Sequence, residues 1–224
     1  VLINELTDTL PNPWLLVLED YHFIASPIVH QLVGLLIENG PTPLHVIIST
    51  RTDPPLALAR LRARRMLAEL RAHELRFRED ETSALINFCV PGLSEQSLSL
   101  LIEKTEGWAS ALQIVRSSLQ GQDARSADRF IAGLSGSHRY IFEYLTEEVF
   151  RRQSGERQSF LMNTAVLSQM DAATCNALPG ITNAQTMLDQ LEQENLFLTS
   201  LDAQRHWYRY HYLFREFLFS KLQQ

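Results

Sequence analysis

Short unbroken apolar runs and helically spaced apolar residues alternate along the first third of the chain. Trp14-Leu15-Leu16-Val17-Leu18 is followed at once by Glu19-Asp20, and a run of this length with no polar alternation predicts a strand buried in a parallel sheet, with the two acids at its carboxyl end. From Pro27 to Glu38 the residues Ile28, Val29, Leu32, Val33, Leu35 and Leu36 recur at helical spacing. Ser26 stands at the N-cap, Pro27 at the first helical position and Gly40-Pro41 at the stop, so a crossover helix is predicted there. Leu44-His45-Val46-Ile47-Ile48-Ser49 predicts a second buried strand ending at Thr50-Arg51, and Glu74-Leu75-Arg76-Phe77 a third, shorter one. Strand, helix and strand at these lengths favour a parallel sheet.

From Asp80 onward the pattern becomes helical. Leu98, Leu101 and Ile102 share one face, and Trp108, Ala111, Leu112, Val115 and Leu119 another. Gly121 to Gly136, with its glycines and serines, reads as a linker and a boundary between units. Helices are then predicted at about Tyr140 to Arg152, Glu156 to Leu167, Ala172 to Leu178 and Ala184 to Asn195. Two short strands, Phe197-Leu198-Thr199 and Trp207-Tyr208-Arg209, flank the turn-forming Asp202-Ala203-Gln204, and a last helix runs from about Leu213 to Leu222. Helices followed by a small hairpin point to a winged-helix unit. The fold class expected is α/β followed by mostly α.

Composition narrows the function classes. At 224 residues, with 45% hydrophobic and 21% charged positions, the chain has the make-up of a folded protein and not of a disordered one. No stretch approaches the roughly 20 consecutive apolar residues of a membrane-spanning helix. Val1-Leu2-Ile3-Asn4-Glu5 carries neither an initiator Met nor a signal-peptide pattern, so an internal fragment is expected. Cys89 and Cys175 have no second Cys or His at ligand spacing, which fits a reducing, cytoplasmic setting and offers neither a disulfide framework nor a zinc site. A net charge of −6 argues against a chain devoted as a whole to coating nucleic acid.

Leu15 to Asp20 has the form of a Walker B strand, in which an apolar strand delivers carboxylates to a sheet edge to hold Mg²⁺ and orient water beside a nucleotide phosphate; the same acids could equally cap the following loop. Arg51 would offer a guanidinium at that edge, able to fork onto a terminal phosphate or to form a surface salt bridge. The phosphate-cradling G-x-x-x-x-G-K-[ST] is absent, because neither Lys104 nor Lys221 follows a glycine in that pattern. The chain alone is therefore expected to bind nucleotide poorly. Arg60, Arg62, Arg64, Arg65 and Arg71 form a basic run without interleaved aromatics, read as a solvated helix face and not a nucleic-acid surface.

Four stretches taken together, Leu15 to His22, Ser49 to Pro55, Thr105-Glu106-Gly107-Trp108-Ala109 and Trp207 to Leu218, resemble the large MalT-like, LuxR-type ATP-dependent transcriptional regulators of the STAND class of switch ATPases. The resemblance covers nearly the whole chain in the expected order. It implies residues 1–78 as the later part of a P-loop NTPase core, 79–134 as a helical domain and linker, and 135–224 as a winged-helix domain. By the same resemblance Glu19 and Asp20 match the Walker B acids that handle Mg²⁺ and position water, and Arg51 the sensor arginine. Gly107 and Trp108 match a turn that contacts base and ribose, and His211 a histidine that touches the β-phosphate of ADP from the start of the last helix. Glu19 stands where Asp is more usual, and Tyr212 where many relatives have Asp. The implied function is a nucleotide switch, slowly hydrolytic, that couples ATP or ADP state to self-association. A small-molecule or protein inducer and promoter DNA would be bound by regions outside this chain. The alternatives from other classes are a winged-helix DNA-binding module and a non-catalytic interaction scaffold.

Overall fold

The computed structural model describes residue 5 and residues 13–223; Val1-Leu2-Ile3-Asn4, on which the reading of the N-terminus rests, lies outside them. The chain divides into two compact units, Val1–Leu70 and Arg71–Gln224.

In the first unit, strand β1 (Trp14–Leu18) pairs in parallel with β2 (Leu44–Ile48), in register from Trp14 opposite Leu44 to Leu18 opposite Ile48. The crossover is made by α1 (Pro27–Asn39), which starts after an extended Ser26 and ends where the Gly40 N–H closes on the Leu36 carbonyl. Ser26 makes no side-chain cap, and Pro27 at the first position, with φ already set for a helix, starts it instead. The sheet is less enclosed than its composition predicts. Leu16, Leu18, Val46 and Ile48 are half-buried while Leu15, Val17 and Ile47 are exposed, and no residue of α1 is fully buried. Among the described residues, two strands and one crossover helix offer too little surface to seal both faces of a parallel sheet. The buried anchors are Tyr21, whose hydroxyl lies 3.0 Å from His30 Nδ1, and Leu61 of α2 (Leu58–Ala63). The arginine run meets acids of its own unit: Arg60 pairs with Glu38, and Arg62 forks onto Glu69 at 2.9 Å.

The second unit is mostly helical. Its first stretch corrects the sequence reading: no strand forms at Glu74-Leu75-Arg76-Phe77. The backbone is committed elsewhere, with Glu74 and Leu75 N–H on the Arg71 carbonyl and Phe77 N–H on the Gly107 carbonyl at 2.9 Å. Helices α3 (Glu79–Cys89), α4 (Glu95–Thr105) and α5 (Ala109–Leu119) follow. The expected linker is instead a structural part of the core. Within it Asp123 caps α6 (Ala124–Ala132), and Ala127, Ile131 and Leu134 are buried. Asp123 accepts from Ser126 N–H, an N-terminal signal that the flanking glycines obscure. The far end of α6 is closed by Lys104, whose Nζ donates to the carbonyls of Ile131, Ala132 and Leu134 at 3.2, 2.9 and 2.7 Å. A cation on the last carbonyls of a helix satisfies groups that have no intrahelical partner.

Beyond it, α7 (Arg139–Tyr144) runs into a π turn (Leu145–Val149) and a 3₁₀ turn (Phe150–Arg152). Then come α8 (Gly155–Thr164), α9 (Ala172–Asn176), α10 (Ala184–Gln193), the antiparallel pair β3 (Leu198–Ser200) and β4 (Tyr208–Tyr210), and α11 (Tyr212–Leu222). Helices α8, α9 and α10, the hairpin and α11 make the winged helix that the pattern predicts. It is tied internally by Thr164 Oγ1 to Tyr210 Oη at 2.7 Å and by a two-bond fork from Arg157 to Glu194. One continuous buried cluster runs from Ile86 to Leu218 and so joins the helices before α6 to the winged helix after it. Gly136 is part of that closeness, since a Cβ there would overlap the backbone of Leu213 and Phe217.

Leu213 is fully buried at the start of α11. Leu213→Ala is expected to lower the unfolding free energy by about 2 to 5 kcal/mol through the cavity it leaves, read as a lower urea midpoint with unchanged slope.

Candidate functional site

Two places carry the residues singled out from sequence, one in each unit. In the first unit, the parallel register of β1 and β2 ends both strands at the same edge. Glu19 and Asp20 follow Leu18 directly, and Ser49, Thr50 and Arg51 follow Ile48. The ladder extends past the strands, with Ser49 N–H on the Leu18 carbonyl at 2.9 Å and Tyr21 N–H on the Ser49 carbonyl at 3.0 Å. Asp20 turns the chain in a left-handed conformation, φ 51°, and its N–H reaches Ser49 Oγ at 3.2 Å. This turn leaves the Glu19 and Asp20 side chains exposed at the edge. No group of three or more metal-ligating side chains occurs among the described residues. Mg²⁺ bound with a nucleotide takes one or two carboxylates and completes its shell with phosphate oxygens and water, so two exposed acids fit that mode and not an all-protein cage.

The second place is the corner where α4 ends. Residues 104 to 108 each tie to a different part of the unit. Lys104 caps α6, as above. The Thr105 carbonyl accepts from Trp108 N–H at 2.8 Å and lies 2.9 Å from His211 Nε2. Glu106 adopts φ 47° and Gly107 φ 72°, two left-handed residues in succession that reverse the chain into α5. The Glu106 carboxylate accepts both guanidinium nitrogens of Arg209, at 2.8 and 2.9 Å, and the Tyr212 N–H at 3.0 Å. Arg76 Nη1 lies 3.5 Å from the same carboxylate. Gly107 receives Phe77 N–H on its carbonyl, and a Cβ on it would overlap the Phe77 carbonyl oxygen. Trp108 packs edge-on to Phe197 at 4.8 Å between centroids and against Tyr144 at 5.6 Å.

His211 closes this corner from the winged-helix side. The residue is 2% exposed, and its ring meets those of Trp108 and Phe197 edge-on at 5.8 Å each. A carbonyl can only accept, so the Nε2 facing Thr105 carries the proton and the neutral ring leaves Nδ1 as a lone pair. That Nδ1 is buried without a partner. Burial pushes the imidazole pKa below its ordinary value, against the opposing pull of Glu106 and the Thr105 bond. For Glu106 the balance runs the other way: burial acts to raise its pKa, and the Arg209 fork together with the neighbouring groups outweighs it and holds the carboxyl below the usual range. Trp108, Gly107 and His211 are thus brought together. The single N–H of the neutral His211 ring is spent on a main-chain carbonyl, so a phosphate contact through it requires release of Thr105 or protonation of Nδ1.

Sequence reasoning isolates Gly107, Trp108 and His211 but passes over Glu106 and Arg209, which form the two-bond fork of the same corner. The only signal is that each lies inside a recognisable stretch and carries the opposite charge. Tyr212 contributes its main-chain N–H, which any residue but proline supplies.

Two outcomes follow for the corner. A group with a depressed folded-state pKa stabilises fully above its unfolded value and loses that contribution as pH falls through the folded one. For His211, unfolded near 6.5, the loss sets in below about pH 6.5 and reaches at most about 1.4 kcal/mol per pH unit. His211→Gln should therefore flatten urea-measured stability against pH in this window, leaving the share that the half-buried His138, also depressed by desolvation, contributes. Gly107→Ala should destabilise by at least about 1 to 2 kcal/mol, the strain of an L-residue at positive φ, checked by the same unfolding measurement at pH 7.

Residues 146–224 match the MalT winged helix domain family. The chain is 33% identical to the HTH-type transcriptional regulator MalT of Serratia proteamaculans (strain 568), over 99% of this chain and 25% of that protein. It is 34% identical to MalT of Yersinia enterocolitica over 95% of this chain and 24% of that protein. Against MalT of Vibrio cholerae the identity is 33% over 90% of this chain and 22% of that protein. The chain thus spans about a quarter of the length of the curated relatives it matches. Along nearly its whole length the chain is similar to the MalT regulators, with residues 146–224 matching their winged helix domain.

Proposed function

We propose that the chain is the nucleotide-dependent switch region of a signal-responsive transcription regulator, coupling ATP or ADP state to assembly and transcription activation. Residues 1–78 supply the later part of a P-loop NTPase core, 79–134 a helical domain and 135–224 the winged helix. The observation that carries the reading is the common edge of β1 and β2, where Glu19, Asp20 and Arg51 end side by side along a parallel pair in a MalT-like sequence. In open parallel sheets ligands bind outside the carboxyl ends of the strands. Mg²⁺ held there by Glu19 and Asp20 supplies charge neutralisation on the phosphates when nucleotide is bound. Asp20 orients water, and Arg51 engages the terminal phosphate. Hydrolysis is slow and regulatory. Gly107, Trp108 and His211 report the bound state to the winged helix.

Direct DNA reading by the winged helix is the less supported alternative. Helix α10, which precedes the hairpin, has the sequence AQTMLDQLEQ, with two acids and no Lys or Arg to neutralise phosphates. Promoter DNA, inducer and self-association are then matters for the longer protein, in a cytoplasmic setting.

The test is equilibrium titration of the full-length protein with ATP and ADP. Arg51→Ala should weaken ATP about ten-fold or more relative to ADP, the worth of one charge-assisted contact. Asp20→Asn should slow hydrolysis about 100-fold with ADP affinity nearly unchanged. His211→Ala should speed ADP release and raise inducer-independent transcription. Failure of the wild-type protein to bind either nucleotide removes the switch reading, and salt-dependent micromolar binding of this chain to duplex DNA supports the alternative.

A further inference from the structure

The chain enters the second unit through residues 71–78, which form neither helix nor strand until α3 begins. This stretch is pinned at the α4 corner by two contacts. Phe77 N–H donates to the Gly107 carbonyl at 2.9 Å, and Arg76 Nη1 lies 3.5 Å from Glu106 Oε2. The same Oε2 takes the Arg209 Nη2 bond at 2.9 Å, while Oε1 takes Arg209 Nη1 at 2.8 Å and the Tyr212 N–H at 3.0 Å. One carboxylate, only 12% exposed, therefore receives groups from the entering chain, from strand β4 and from the first residue of α11.

We propose that Glu106 is the positioning residue that couples the entering segment 74–77 to the winged helix. The physical reason is sharing. A carboxylate that is nearly buried stays charged only while enough donors face it, and its side chain can be centred on Arg209 and Tyr212 only while its own turn is held. That turn is the one on which Phe77 and Arg76 rest. Pulling residues 74–77 away removes a cation and a main-chain hydrogen bond from the Glu106-Gly107 turn, and the fork onto Arg209 loses its alignment. The first turn of α11, capped at Tyr212 N–H by the same carboxylate, loosens with it. Because Leu213, Phe214, Phe217 and Leu218 anchor the rest of α11 in the core, the loosening is confined to the corner. In the switch reading above this is the route by which events in the first unit reach the winged helix. The coupling itself depends only on the contacts within the second unit.

Hydrogen–deuterium exchange of this 224-residue chain without nucleotide tests the coupling apart from the nucleotide reading. Arg76→Ala is expected to speed exchange about two- to five-fold in residues 74–78 and, at a distance in sequence, in residues 208–213, the size appropriate to a half-exposed ion pair. Arg76→Lys should restore part of the protection. Glu106→Gln should speed both segments about ten-fold or more, since it removes the charge that both arginines face. Exchange in α8 should not change in any of them. Unchanged protection of residues 208–213 in Arg76→Ala overturns the proposal, and so does a rise that spreads to α8, which would mark general destabilisation. A nucleotide-binding failure of the full-length protein leaves this result standing.

Discussion

A nearly buried carboxylate answered by a guanidinium from another element is the constraint on which the second unit depends. Glu106 can be charged in its position only with the Arg209 fork and the Tyr212 N–H in place, and this requires β4 and the start of α11 to sit against the end of α4. The neighbouring residues repeat the logic with different chemistry: Lys104 answers three carbonyls of α6, and the Thr105 carbonyl is shared by Trp108 and His211. Such contacts are directional where apolar packing is not. The continuous core from Ile86 to Leu218 provides the driving force, and the corner selects the arrangement.

The two places that hold the residues singled out from sequence differ in physical character. At the sheet edge of the first unit Glu19 and Asp20 face solvent, with the backbone turn at Asp20 fixed by Ser49. Acids so placed are open to a hydrated cation. At the corner of the second unit His211 is neutral, enclosed by Trp108 and Phe197, with one ring nitrogen used and the other without a partner. A group in that state resists protonation and marks a closed arrangement.

The part Tyr212 plays at the corner belongs to its main chain, and its side chain is exposed. The helix N-terminus still receives an acid, because Glu106 reaches it from a different element. An acidic group at a helix start satisfies its N–H groups whichever part of the chain supplies it.

What the sequence determined by itself are the elements whose cause is local. The apolar run of β1, the Pro27 start and Gly40 stop of α1, the run of β2 and the turn residues between β3 and β4 are all legible, because periodicity, capping and turn chemistry act over a few residues. The shared edge of Glu19, Asp20 and Arg51 is legible for the same reason, since parallel strands of matched length end together. Only the tertiary structure decided the rest. Glu74 to Phe77 has strand composition but is held out of a ladder by Arg71 and Gly107. Residues 121–136 look like a linker but are drawn into the core as α6 by burial of Ala127, Ile131 and Leu134 and by a lysine some 20 residues upstream of its first helical residue. The partnership of Glu106 with Arg209 spans 103 positions, a separation at which no local pattern pairs two charges and only the packing of the helices between them does.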